Sequence, residues 1–300
     1  MAKLAPIAPL WTSLIRRTWN REDAQAIIGR IETRRMTCSN TCGSRAAFSD
    51  DNMKTQFCIV GATAGTGLLI AEQLLQCGSS VRIVARDPDK ARRLLGNRVD
   101  VSHGDVTDSR SVRDALKEDY GAIFFTVAAR GGIDGRGLFG SRSMIREVTY
   151  QGLVNVVEAA RSSGFNGRIV LPSVVGVDRS SLMIRILDKI KSGLQRNLIE
   201  RERYLRASGL AYTIVRAPIL TYTPARKANF RITRATHTLT VGSKLSRGDL
   251  ARVMILASQQ SVASGKTFEL FVAKGAAPSD KQLLEELEQI PPDSVARNLL

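Results

Sequence analysis

The chain has 300 residues, of which 43% are apolar, enough to bury a sizeable core in one large domain or two small ones. No uninterrupted apolar run approaches the roughly 18 residues that a membrane-spanning helix needs, so a globular chain without a membrane span is expected. The net charge of +16 is concentrated: residues 179–247 hold 15 basic and 3 acidic side chains, a net +12, with too few aromatic rings to suggest stacking on nucleic acid. An anionic small molecule or a protein partner would meet the chain there.

Residues 1–52 lack any strand-helix rhythm and read as an appended segment. Two readings stay open. An upstream extension with Met53 as the initiator implies a cytoplasmic protein, and Glu22, Asp23, Glu32, Asp50 and Asp51 favour it. An organelle-targeting peptide, mitochondrial or plastid, is suggested by Arg16, Arg17 and Arg21 among apolar residues before the first acid. Cys38 and Cys42 form a C-x3-C pair with no second pair or nearby histidine, and with Cys58 and Cys77 they make no disulfide framework; no metal is expected.

From Gln56 the pattern changes to an apolar run (FCIV), a glycine turn (GATAGTG), a helical period (LLIAEQLLQ) and a second apolar run (SVRIVAR). A phosphate can approach the backbone closely only where side chains are missing. Gly61, Gly65 and Gly67 clear that space in front of a helix N-terminus, which predicts a dinucleotide site. The strict G-x-x-G-x-x-G spacing is broken by Ala64, so the weight rests on the strand before the turn and the helix after it. The end of the second strand faces the adenosine ribose. There Ala85 is followed by Arg86, a guanidinium suited to a 2′-phosphate, while Asp87 precedes Pro88 as a helix N-cap should; the cofactor is therefore read as NADP(H).

The alternation continues through strand RVDVSHGD, helix SRSVRDALKED, strand AIFFTVA, helix MIREVTYQGLVNVVEAARSSG and strand RIVLPSV. This is an α/β pattern of a doubly wound parallel sheet, the Rossmann fold. The stretch between residues 128 and 142 carries five glycines and reads as a cofactor-side loop or lid. Residues 179–208 read as one long amphipathic helix, 229–242 as a hairpin with His237 on a surface strand, and 246–258 and 279–289 as helices around the strand TFELFV. The expected domains are 53–275, a Rossmann domain with a small substrate-side subdomain, and 276–300, a terminal helix and tail.

Seven stretches in order, VGATAGTGLLIAEQLL, VRIVARDPDKA, GDVTD, GLVNVVEAARSSG, IVLPSVVGVD, RERYLRASGLAYTIVRAPIL and LSRGDLARVMILA, resemble the atypical short-chain dehydrogenase/reductase superfamily. The likeness covers about Thr55–Val272 and is strongest to the NmrA-like and flavin/biliverdin-reductase-like NAD(P)-binding members. It implies that the turn residues Gly61, Ala62, Thr63, Gly65, Thr66 and Gly67 hold the pyrophosphate, Arg86 the 2′-phosphate, Asp105 and Val106 the adenine end, and Ala128 and Ser173 the nicotinamide side. Carbonyl reduction in that superfamily uses a Tyr-x-x-x-Lys pair. Here Tyr120, Tyr150, Tyr204, Tyr212 and Tyr222 are followed four places on by Phe124, Val154, Ser208, Arg216 and Arg226, so the pair is absent. The expectation is an NADPH-dependent reductase of a small flavin-like or quinone-like acceptor, with Ser173 as the catalytic-side residue, or else a non-catalytic NADP(H)-binding sensor or assembly factor.

Overall fold

A computed structural model describes residues 56–129, 141–179, 181–234 and 237–294. The 1–52 segment, with its Cys38 and Cys42, and the glycine-rich stretch over 130–140 lie outside the described residues.

Strand β1 (Gln56–Val60) is apolar on both faces, as a central strand of a parallel sheet must be when helices cover it on both sides. It pairs in parallel with β2 (Ser80–Ala85) and β4 (Ala122–Phe125). Between β1 and β2 runs α1 (Gly65–Gln76); α2 (Pro88–Leu95) leads to β3 (Asp100–His103), and α3 (Ser109–Ala115) to β4. After the undescribed stretch come α4 (Arg142–Arg146), a π-helical turn over Glu147–Gln151, α5 (Gly152–Ser162) and β5 (Arg168–Val174). The rest is α6 (Leu182–Ile190), α7 (Leu194–Ala207), β6 (Ala211–Ala217), β7 (Ile219–Thr221), β8 (Asn229–Thr233), β9 (Lys244–Ser246), α8 (Arg247–Gln259), β10 (Lys266–Ala273) and α9 (Asp280–Gln289).

The described residues form an eight-stranded sheet in the order β3-β2-β1-β4-β5-β6-β10-β8, parallel except for β8. The order reverses between β1 and β4, which opens a crevice at their C-terminal ends. Alternate residues along each strand feed two core layers. Ile59, Ile83, Phe124, Val170 and Val215 meet Ile70 and Leu74 of α1 and Leu250 and Met254 of α8. On the other face Cys58, Val60, Ile123, Phe125 and Ile214 meet Val112 of α3, Leu153 and Val157 of α5 and Leu205 of α7. Cys58 is fully buried, and burial pushes its thiol pKa far up, so it acts as a small apolar filler.

Two elements differ from the expected ones. The single helix over 179–208 is two helices, broken at Lys191–Gly193. Gly193 takes φ +78°, a left-handed conformation that side chains disfavour, and Asp188 Oδ1 accepts from the Gln195 N–H at 2.8 Å to fix the corner. Leu182 is 76% exposed, so the apolar stripe does not run unbroken along the pair. The expected hairpin is also absent: β8 pairs antiparallel with β10, and β9 pairs in parallel with β7 as a separate two-stranded sheet. Alternation specified strand character there and left the partner open. His237 lies outside any strand, half-buried rather than on the surface.

Residues after β10 pack back on the sheet. A capping box between Ser279 and Gln282 starts α9, whose Leu283 and Leu287 enter the core, and Glu286 accepts from the Ile232 N–H at 2.6 Å and pairs with Arg231. Leu287→Ala should therefore lower the unfolding free energy by about 2–5 kcal/mol. Chemical denaturation checks this, and an unchanged midpoint would place α9 outside the core.

Candidate functional site: a dinucleotide cradle

The cradle begins where β1 ends. Gly61 takes φ +99°, and a Cβ there would lie 2.9 Å from Val127 Cγ2. At Gly67 a Cβ would lie 2.3 Å from Thr126 Oγ1 and 2.5 Å from the Gly61 carbonyl oxygen, so α1 approaches β1 and the end of β4 too closely for any side chain. Thr126 Oγ1 locks the approach by donating to the Val60 and Gly61 carbonyls at 3.1 and 3.2 Å. Gly65, at φ +62°, has no atom within 4 Å of a would-be Cβ and faces open space. The N-cap of α1 is Ala64, which offers no side-chain cap, and the first turn holds no acid. The helix N-terminus is thus left with unfilled N–H donors and an unopposed positive dipole end, which suits a pyrophosphate.

Arg86 is exposed at the end of β2. Asp87 caps α2, accepting from the Lys90 N–H at 2.8 Å with Pro88 in the first turn, and so is committed to the helix. Asp105 is likewise engaged: its Oδ1 accepts from Thr107 N and Oγ1 at 3.0 and 2.8 Å. Val106 is buried, its carbonyl accepting from Asn155 Nδ2 at 2.8 Å while Gly152 makes room for its side chain. Ala62 and Thr66 are buried in the turn, Thr63 is half-buried, and Ala128 is exposed beyond β4. These residues line up along one edge of the sheet in the order Asp105, Arg86, Gly61, Ala128, Ser173, one per strand from β3 to β5. Four strand spacings of about 4.8 Å span roughly 19 Å, enough to lay out an extended dinucleotide.

Ser173 is buried, and its Oγ makes no hydrogen bond of full geometry among the described residues. Behind it lies a buried ion network that the sequence reading did not single out. Arg216, opposite Ser173 in the β5–β6 register, donates from Nη2 to Glu202 Oε2 at 2.8 Å and from Nη1 to Asp178 Oδ2 at 3.0 Å. Burial alone would raise the Glu202 pKa, but the Arg216 hydrogen bond and charge, then Arg206 and the nearby Ser173 hydroxyl, bring it below the usual value. A folded-state pKa below the unfolded one means that this stabilisation is present above the ordinary glutamate range and is lost as pH falls through the folded value. Arg201 is buried beside them, its pKa lowered to about 10 by desolvation, and donates to the Pro172 carbonyl at 2.6 Å. Glu269 on β10 closes the network, accepting from Gly176 N at 3.2 Å and from His237 N at 2.7 Å, and the His237 ring stacks on Phe271 at 4.2 Å. The legible signal was a charged residue in each of two otherwise apolar strands, AYTIVRA and TFELFV.

Lys191, in the α6–α7 corner, donates from Nζ to the Ala129 carbonyl at 2.9 Å, next to Ala128.

Comparison with known proteins agrees with this geometry. Residues 61–260 match the NAD(P)H-binding family. The chain belongs to that family. An uncharacterized chloroplastic protein of Arabidopsis thaliana is 29% identical over 231 residues, covering 73% of this chain and 77% of the relative. Among solved structures, the anaerobilin reductase ChuY of Escherichia coli O157:H7 superposes with a TM-score of 0.59 at 21% identity, covering 75% of this chain and all of that one. A wide-type short-chain dehydrogenase/reductase of Veillonella parvula in complex with NADP gives 0.57 at 16% identity, covering 76% and 100%. The Rossmann fold and the resemblance to short-chain dehydrogenases/reductases both hold. Among the described residues no helix is long and apolar enough to cross a membrane, and no group of side chains could hold a metal ion.

Replacing Gly67 by alanine should weaken NAD(P)H binding by about tenfold or more, since the Thr126 and Gly61 contacts must yield. Gly78→Ala, at the far end of α1 where nothing lies within 4 Å but φ is +75°, controls for a general loss of stability and should leave affinity unchanged. Equal losses in a fluorescence titration would show that close approach is not what the cradle needs.

Proposed function

We propose that the protein is an NADPH-dependent reductase of a small, electron-poor acceptor of flavin-like or quinone-like chemistry, working without a tyrosine proton donor. The observation that carries the cofactor choice is Arg86 exposed at the end of β2 while Asp87, the acid that follows it, is occupied as a helix cap. The NADP bound by the Veillonella protein and the reductase description of ChuY support the same reading. Bound nicotinamide supplies hydride chemistry; the chain supplies position. The α1 N-terminus and its glycines hold the pyrophosphate, Arg86 the 2′-phosphate, and the Ser173 hydroxyl, beside Glu202, orients the carboxamide or the acceptor at the nicotinamide end. Asp105 and Val106 bound the adenine end, Val106 through its backbone because its side chain is buried. An acceptor ring that delocalises the negative charge left by hydride transfer takes its one proton from water, so no tyrosine-lysine pair is needed.

Arg86→Asp should raise the Kd for NADPH by at least about tenfold, the worth of a charge-assisted hydrogen bond, and leave that for NADH within about twofold. Equal losses would remove the 2′-phosphate assignment. Ser173→Ala should lower kcat about tenfold or more with NADPH affinity intact, since it misplaces the acceptor rather than the cofactor. The acceptor itself comes from an NADPH-oxidation screen over flavins, quinones and aldehydes; tight NADPH binding without turnover on any of them would make the protein a sensor instead. The chloroplastic description of the Arabidopsis relative supports reading residues 1–52 as an organelle-targeting segment. A fluorescent protein fused behind them should enter the organelle, and cytosolic fluorescence would favour Met53 as the start.

A further inference from the structure

Part of the positive charge of residues 179–247 is engaged by acids of the fold: Arg216 and Arg206 with Glu202 in the interior, Arg231 with Glu286 at the surface. The remainder is not evenly spread. Between α4, α6 and α7 lies a cavity of about 730 Å³, within the roughly 300–1,000 Å³ of small-molecule sites. Its wall holds Arg142, Arg196 and Arg203 against two acids, Asp188 and Glu200. Both acids are committed. Asp188 accepts from the Gln195 N–H, and Glu200 accepts from Arg196 Nε and from Arg146 Nη1, each at 2.6 Å. With Arg146 included, four guanidinium groups face two carboxylates, and Arg142 and Arg203 make no ion pair among the described residues. Gly193, the uncapped start of the 14-residue α7, lines the same wall and adds the positive end of a helix.

The corner that contributes Ser192, Gly193 and Gln195 to the cavity wall is tied by Lys191 to the Ala129 carbonyl and by Gln195 Nε2 to the Val177 carbonyl at 2.9 Å, that is, to the segments that follow β4 and β5. We propose that this cavity is a phosphate-binding site, with Arg142 and Arg203 as its principal donors. A planar fork of donors on two different helices suits a tetrahedral oxyanion better than a single ammonium would. The phosphate is either free or a substituent of the acceptor; the second source rests on the reductase reading, the first does not.

The test uses the full chain saturated with NADP⁺, so that the glycine cradle is filled, and follows inorganic phosphate, FMN and riboflavin by calorimetry. The wild type should bind inorganic phosphate saturably, and the Arg142→Gln/Arg203→Gln variant should bind it at least tenfold more weakly while its NADPH affinity is unchanged. If FMN binds at least tenfold tighter than riboflavin, loses that advantage in the variant and is displaced by phosphate, the phosphate belongs to an acceptor. If FMN and riboflavin behave alike while the phosphate effect stands, free phosphate is the ligand. Phosphate affinity that is the same in variant and wild type, or no saturable binding by the wild type, overturns the site. Failure of the wild type to bind NADPH would sink the reductase reading and leave the phosphate comparison intact.

Discussion

Everything at the functional edge depends on one close approach, that of α1 to the ends of β1 and β4. No side chain fits at Gly67, and Thr126 clamps the Val60 and Gly61 carbonyls from the neighbouring strand. That contact sets where the helix N-terminus points, and with it where a pyrophosphate can lie. The reversal of strand order at β1 and β4 then leaves a crevice on the far side of the same contact. The line of residues from Asp105 to Ser173 along the C-terminal edge of the sheet follows from the register of five adjacent strands, each held by its parallel neighbours.

The first half of the fold was legible because periodicity and turn chemistry agreed. The FCIV run, the glycines after it and the Asp87-Pro88 cap each pointed to one local structure, and the fold has all three. The second half was less so. Nothing in the leucine spacing of residues 179–208 distinguishes one helix from two; the break lies at a single glycine whose left-handed φ is a backbone property that hydrophobic periodicity does not register. Pairing was illegible for the same kind of reason, since β8 finds its partner across 36 residues in β10 rather than next door, as the Thr233–Glu269 pair shows. Of the site, the cradle residues could be read from their type and spacing. Thr126 and Lys191 could not, because each matters for the carbonyl it reaches.

The buried network around Arg216 illustrates a different constraint. Charged groups on β6, α7 and β10 are tolerated in the interior only because each meets an opposite charge or a carbonyl there. Together they fasten α7 to the strand carrying Ser173, so the geometry at the end of β5 depends on side chains far apart in sequence. Removing Arg216 would leave Glu202 and Glu269 charged in the interior without their shared guanidinium.

Lys266 extends that logic to the way the chain is made. The residue is buried in the sheet, and its ammonium donates to the Leu287 carbonyl at 2.9 Å on α9. Burial lowers its pKa, so the strand that carries it is well satisfied only when α9 is in place. During synthesis β1 to β5 emerge first, but α1 packs on Leu250 and Met254 of α8, so the cradle helix stays uncovered on that face until α8 follows. The β6-β10-β8 half waits for its last helix in turn, so both halves of the sheet are closed by segments made late.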